Sequence, residues 1–419
     1  MGALLLTSHD ARRIRAVLEQ RAVHLPDPFD GGSANIELLA PLDDDVRQAE
    51  FVALGELNHF VHEKSDFRLY LSRYLLSRGY RNFAEELGWS DGVRVDRYYR
   101  TGDDHELERL PSFGYSGHMR PDRDDRPSGV LKAPFDAYPV ALFRAEQARY
   151  YRGFRTAGEH TRHFGFDIDA LPGGTYEDID DLLARHEVVP AVRQFRRALS
   201  PVKGETPQEE AARLRRTLGP LSEITSAVGE EHACAIAVGL TALADSLDYI
   251  AMTYSAATYE ALRPGMAFRE DAMKRRIEAI EGLCHGPLVL MGHALHLAKD
   301  DRPVWFRAGV GPGGGWTTSL GHHIAQTLGR RVLSVLFLYG GGEDSQPFKD
   351  LPRRASYPPD SLNALLAEFG IPLFFRTDAA AFDQSSKIGH MYNAIVEAPL
   401  RALADAVFFL PSVTPLREN

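Results

Sequence analysis

The chain is 419 residues long, 44% hydrophobic and 25% charged, with a formal net charge of -10. That composition excludes a disordered or collagen-like chain, and the acidic balance argues against a duplex nucleic-acid binder. The 2 cysteines exclude a disulfide scaffold and make a reducing compartment the default, while the 16 histidines, several spaced three apart, pose the chemical question.

At the N-terminus the apolar run Ala3–Leu6 is too short for a secretory h-region. Ser8 or Asp10 can cap a helix carrying Ile14, Val17 and Leu18. No stretch reaches the roughly 18 apolar residues of a spanning helix. The expectation is a cytoplasmic protein with a small-molecule substrate, and no nucleic acid or membrane as partner.

Short apolar runs then alternate with helical patterns. Phe51–Leu54 reads as a strand ending in Gly55-Glu56, and a helix follows from about Glu63 to Ser77. Tyr80–Ala84 is a second strand, ending in Glu85-Glu86, after which Ser90-Asp91-Gly92 caps a helix from Val93 to Tyr99. Residues 112–134 read as a surface loop. His163–Ile168 and Pro287–Met291 are further strands, the latter ending in Gly292-His293. Arg331–Tyr339, Pro372–Arg376 and Asp405–Leu410 complete the set. This alternation predicts an α/β fold with a mostly parallel central sheet flanked by helices.

One region breaks the alternation. Between 176 and 283 only helical patterns occur: Ile179–Arg185, Pro207–Arg216, Ile224–Tyr254 and Asp271–Leu283. The expected organisation is an α/β core over 1–175 and 284–419, with 176–283 as a helical insertion forming a second lobe or lid.

The strongest chemical pattern is Gly55-Glu56-Leu57-Asn58-His59, directly after a strand. Ligands in open α/β sheets bind outside the carboxyl ends of the strands, where Glu56, Glu86 and His293 all fall. A carboxylate beside an imidazole fixes its tautomer and raises its basicity. The plain alternative is that Glu56 caps the next helix and His59 is a surface residue. His293 and His296, like His59 and His62, share a helical face. Two such pairs with Glu56 and Glu86 could form a metal site, but no recognisable ligand set is completed.

Other features carry less. Gly114–His118 lacks the second glycine of a nucleophile elbow, and Gly309–Gly315 lacks the lysine of a P-loop. Gly340–Gly342 reads as a turn. Cys234 and Cys284 are expected to be buried and inert, and the mixed charges of Arg263–Arg276 read as a solvated face.

The runs GELNHFVHEKSDFRLYL, YRNFAEELGWSDG and PLVLMGHALHLAK resemble the erythromycin esterase family. FREDAM is similar to its R-D-x-x-M helix, with Glu270 in place of the aspartate and Arg269 and Met273 kept; the resemblance spans about 45 to 415. It implies catalytic positions at Glu56, His59, Arg68, Glu86 (with Glu85 as the neighbouring choice), His293 and His296. The family's W-x-H-N-x-H segment here reads Met291, Gly292, His293, Ala294, Leu295, His296, which alters the pocket. The implied activity is hydrolysis of a macrolactone or bulky ester by activated water, without a serine nucleophile, metal or cofactor. His59 is the expected base, oriented by Glu56 or Glu86; Arg68 and His293 polarise the carbonyl, and His296 protonates the leaving group. The alternatives are a biosynthetic tailoring enzyme on the same scaffold, by acyl transfer, dehydration or cyclisation, and a metal- or tetrapyrrole-binding protein.

Overall fold

A computed structural model describes residues 8–110, 126–157, 161–258, 260–299, 305–306, 318–346, 353–389 and 395–417. The glycine runs at 114–118 and 309–315, and the first part of the loop expected at 112–134, lie outside the described residues.

The strands in chain order are β1 (Val23–His24), β2 (Phe51–Glu56), β3 (Asn82–Glu85), β4 (Arg162–Gly165), β5 (Leu288–His293), β6 (Trp305–Phe306) and β7 (Val332–Tyr339). They continue with β8 (Gly342–Glu343), β9 (Arg354–Ala355), β10 (Leu373–Arg376), β11 (Ser385–Gly389), β12 (Ile395–Pro399) and β13 (Ala406–Leu410). Eight of them form one sheet in the order β1-β10-β13-β7-β2-β5-β3-β4. The central neighbours β13, β7, β2 and β5 run parallel, while β10 is antiparallel to both its neighbours. The fold is therefore mixed α/β with a mostly parallel central sheet.

The chain divides into two compact units. The first comprises Met1–Phe83, Ala141–Arg162 and Cys284–Asn419, and the second Ala84–Val140 and His163–Leu283. The helical stretch 176–283 thus shares its unit with the segments that begin at Ala84 and His163.

In the first unit the strands read as apolar runs because β2, β5 and β13 are buried along their whole length. One face packs Leu336, Leu338, Phe375, Val407 and Phe409 against Ile14 and Leu18 of the helix Ser8–Arg21. On the other face Phe67 stacks on Phe337 at 5.3 Å. Phe67 belongs to the helix Glu63–Ser77, which has the predicted bounds. Gly342 turns the chain after β7 at φ +119, and a Cβ there would meet the Val413 carbonyl at 2.0 Å.

The second unit is built on helices Gly173–Ala184, Pro190–Leu199, Pro207–Thr217, Glu230–Thr253 and Arg263–Leu283. Leu183, Val192, Leu214, Ile236 and Leu243 meet in its core. The single helix expected over Ile224–Tyr254 is interrupted at Gly229, whose φ of +86 no L side chain adopts readily. By length and composition alone Glu230–Thr253 could cross a bilayer, contrary to the sequence reading; 72% of its apolar window is buried.

Three further expectations are corrected. Ser90–Gly92 lies inside the helix Trp89–Thr101 and does not cap it; Ser90 Oγ donates to Asp169 at 3.2 Å instead. Cys234 is exposed and Cys284 half-buried, because Ala233, Ile236 and Leu240 take the inward positions of the helix and turn residue 234 outward. Arg263–Arg276 is not a solvated face: Arg276 is 2% exposed, and Arg269 bonds to two carboxylates.

Candidate active site

The site grows from two register partners. Glu56 ends β2 and His293 ends β5, and the two are paired across the parallel ladder. Paired residues project from the same face, so both side chains stand on the side covered by the helix Glu63–Ser77. Arg68 projects from that helix onto Glu56.

Glu56 is completely buried. Its Oε1 accepts from Arg68 Nη2 at 2.8 Å and lies 3.0 Å from His59 Nδ1. Burial pushes the carboxyl up, but the Arg68 charge and the His59 hydrogen bond outweigh it and hold Glu56 below the usual carboxylate range. An ionised carboxylate only accepts, so His59 Nδ1 carries the proton of this bond. In the neutral ring the lone pair is then on Nε2, on a side chain that is 16% exposed.

His293 has the opposite polarity. Its Nδ1 accepts the backbone N–H of Leu295 at 3.3 Å, capping the short helix Ala294–Leu297. The neutral ring therefore carries its proton on Nε2. The His59 and His293 rings lie 5.0 Å apart by centroid. One offers a proton acceptor, the other a donor. His296 follows one turn later, its ring 6.1 Å from that of His293.

The turn bearing His59 is held from both sides. Asn58 Nδ2 donates to Tyr339 Oη and Asp344 Oδ2, both at 2.9 Å, and its Oδ1 accepts from Phe60 N at 2.8 Å. Burial pushes the Asp344 carboxyl up and the Tyr339 phenol up to about 12. Lys64, 3% exposed, donates to the His59 carbonyl at 3.0 Å and lies over the Phe143 ring. Asn58 stands inside the G-E-x-x-H run, so its position was visible. Its partners, 281 and 286 residues away, were not.

His62 is separated from His59. It bonds to Glu146, lies 3.7 Å from Asp66, and so joins a distinct ionic cluster with Arg149. Among the described residues no three His, Cys, Asp or Glu side chains group as a metal site.

The structure thus brings Glu56, His59, Arg68, His293 and His296 together in the first unit. Glu86 and Glu85 belong to the second. There Glu86, 2% exposed, accepts from Arg269 Nη2 at 2.8 Å, and Asp167 takes the same guanidinium at 2.5 and 2.8 Å. Burial opposes the Arg269 charge, but these carboxylates hold its pKa up. Glu85 lies 3.5 Å from His163 Nε2.

The sequence matches the family described as Erythromycin esterase over residues 76–413. A solved Bacillus cereus protein superposes with a TM-score of 0.72 at 18% identity, covering 97% of this chain and 99% of that one. A succinoglycan biosynthesis protein gives 0.66 at 16% identity, covering 98% and 99%. A mutant of erythromycin esterase EreC in its open conformation gives 0.60 at 17%, covering 94% and 98%. These likenesses concern the fold.

Proposed function

Given that the chain belongs to the erythromycin esterase family, we propose that it hydrolyses a carboxylic ester or lactone with His59 as general base. Family membership supports a hydrolase-like role. The observation that carries the finer reading is the 3.0 Å contact between His59 Nδ1 and the ionised Glu56, which leaves Nε2 to take a proton.

In the proposed reaction a water molecule gives its proton to His59 Nε2 as its oxygen attacks the carbonyl carbon. Glu56 stabilises the imidazolium that forms. The Nε2–H of His293 donates to the developing oxyanion, an interaction of the kind worth about 3–4 kcal/mol. The C–O bond breaks, and the leaving alkoxide takes a proton from His59 or His296. The products are one acid and one alcohol. Arg68, bonded to Glu56, keeps that carboxylate charged, so we assign it to holding the dyad.

Turnover of a chromogenic ester and a macrolactone in oxygen-18 water tests the reading. One label in the product acid, with turnover lost in His59→Ala, is the expected result. Label-free product, or full activity in His59→Ala, overturns it. A second reading, a tailoring enzyme transferring the acyl group to another acceptor, draws on the biosynthetic description of one protein of similar fold. It predicts product without label.

A further inference from the structure

Gln147 sits in the helix Val140–Ala157 and is 5% exposed. Among the described residues neither its amide oxygen nor its amide nitrogen has a hydrogen-bond partner. Buried side-chain amides in native proteins are nearly always paired, because leaving one unpaired is costly.

Its surroundings follow from its helix. Residues 143, 147 and 150 share one face, at four- and three-residue spacing. Phe143 packs against Phe60 with centroids 5.8 Å apart and lies under the Lys64 ammonium. Tyr150 donates to Met291 Sδ at 3.2 Å and lies 3.3 Å from Ser72 Oγ. Gln147 is one turn from each.

Met291 and His293 project from the same face of β5, with His293 nearer the carboxyl end. Phe143 also contacts that end of the sheet, through Phe60. The helical turn between Tyr150 and Phe143 therefore stands level with His293, and Gln147 is on it. On the helix Glu63–Ser77, Arg68 lies one turn before Ser72 and so reaches the same level. Gln147 is thus on the helix turn level with the layer that holds Glu56, Arg68 and His293.

We propose that Gln147 is a substrate-facing, specificity-determining residue that reads a hydroxyl on the acyl part of the ester. The assignment rests on the hydrolytic reading above. A side-chain amide offers an acceptor and a donor together. A hydroxyl both donates and accepts, and so complements it. A site built to bond a hydroxyl discriminates strongly against the analogue lacking one.

The test compares wild type, Gln147→Met and His59→Ala on 4-nitrophenyl butyrate and its 2- and 3-hydroxy analogues. Wild type should prefer one hydroxylated ester, and Gln147→Met should lower that kcat/KM ratio about tenfold or more. Because methionine removes the orphaned amide, the variant should unfold roughly 1–3 °C higher. A structural glutamine would give the opposite sign. His59-dependent turnover with an unchanged ratio, or a lower unfolding temperature in Gln147→Met, overturns the assignment and leaves the hydrolase reading standing. Absence of turnover in wild type, or turnover unaffected by His59→Ala, overturns the hydrolase reading and with it any substrate role for Gln147.

Discussion

Glu56 and His293 face one another in register at the ends of two parallel strands, so the sheet itself sets the spacing of the carboxylate and the second imidazole. His59 reaches the same place from the turn after β2. Glu56→Gln tests what the carboxylate contributes. A neutral amide can donate as well as accept, so it no longer fixes the His59 tautomer. The expected loss in kcat is about 10²–10⁴-fold with a small change in KM. Steady-state kinetics on a chromogenic ester measures it; an unchanged kcat removes the dyad from the mechanism.

Arg68→Met should act through Glu56. Without the guanidinium, burial dominates and the Glu56 pKa moves up instead of down. In the native protein this depressed pKa contributes stability that is present above the unfolded value and lost as pH falls through the folded one. The variant should lose that contribution, cost about 3–5 kcal/mol for the broken buried pair, and shift the acid limb of the rate profile to higher pH. Denaturant unfolding and a pH–rate profile check both.

Asn58→Ala removes the clamp on the His59 turn. Asp344 and Tyr339 lose a donor, and Phe60 N loses its acceptor. The expected result is a fall in kcat of about 10-fold or more with fold retained, and a stability cost of roughly 1–3 kcal/mol. Wild-type kinetics in a folded variant would show that the turn needs no clamp.

In the second unit burial pushes the Asp178 carboxyl up to about 6, against the pull of Arg94 and Arg97. A raised folded pKa favours the native state below the unfolded value, near 4, and that advantage disappears as pH rises to about 6. This group alone should reduce stability by roughly 3 kcal/mol across that window. Asp178→Asn should flatten the slope, as read from unfolding at pH 4, 5 and 6. An unchanged slope rejects the assignment.

Cys234 should react with a maleimide in the native protein ahead of Cys284, since only the first is exposed. Mass spectrometry of a brief labelling reaction reads the order.

The sheet's centre was legible in the sequence because strands buried on both faces spell apolar runs, as Val52–Leu54 and Val289–Met291 do. Glu56 and His293 were legible as the residues where those runs stop. The short strands Ser385–Gly389 and Ile395–Pro399 were not, since neither spells so long an apolar run and both depend on their pairing with neighbouring strands. The separation of His59 from His62 was also hidden, because equal spacing says nothing about which carboxylate waits opposite. Glu146 lies 84 residues from His62. Arg269 looked like surface for a similar reason, its partners Glu86 and Asp167 being 183 and 102 residues away.

The far end of the described chain has a bearing on the biosynthesis of this site. Thr414 takes the backbone of His62 on its carbonyl and bonds twice to Glu63, while Arg417 N donates to Glu146. These contacts brace the segment just beyond His59, roughly three hundred and fifty residues earlier in the chain. The turn carrying the proposed base is among the first parts of the site to leave the ribosome, and its brace is the last. A chain truncated after residue 413 should therefore keep β2 but hold His59 loosely, and should lose any turnover of a chromogenic ester that the full chain shows.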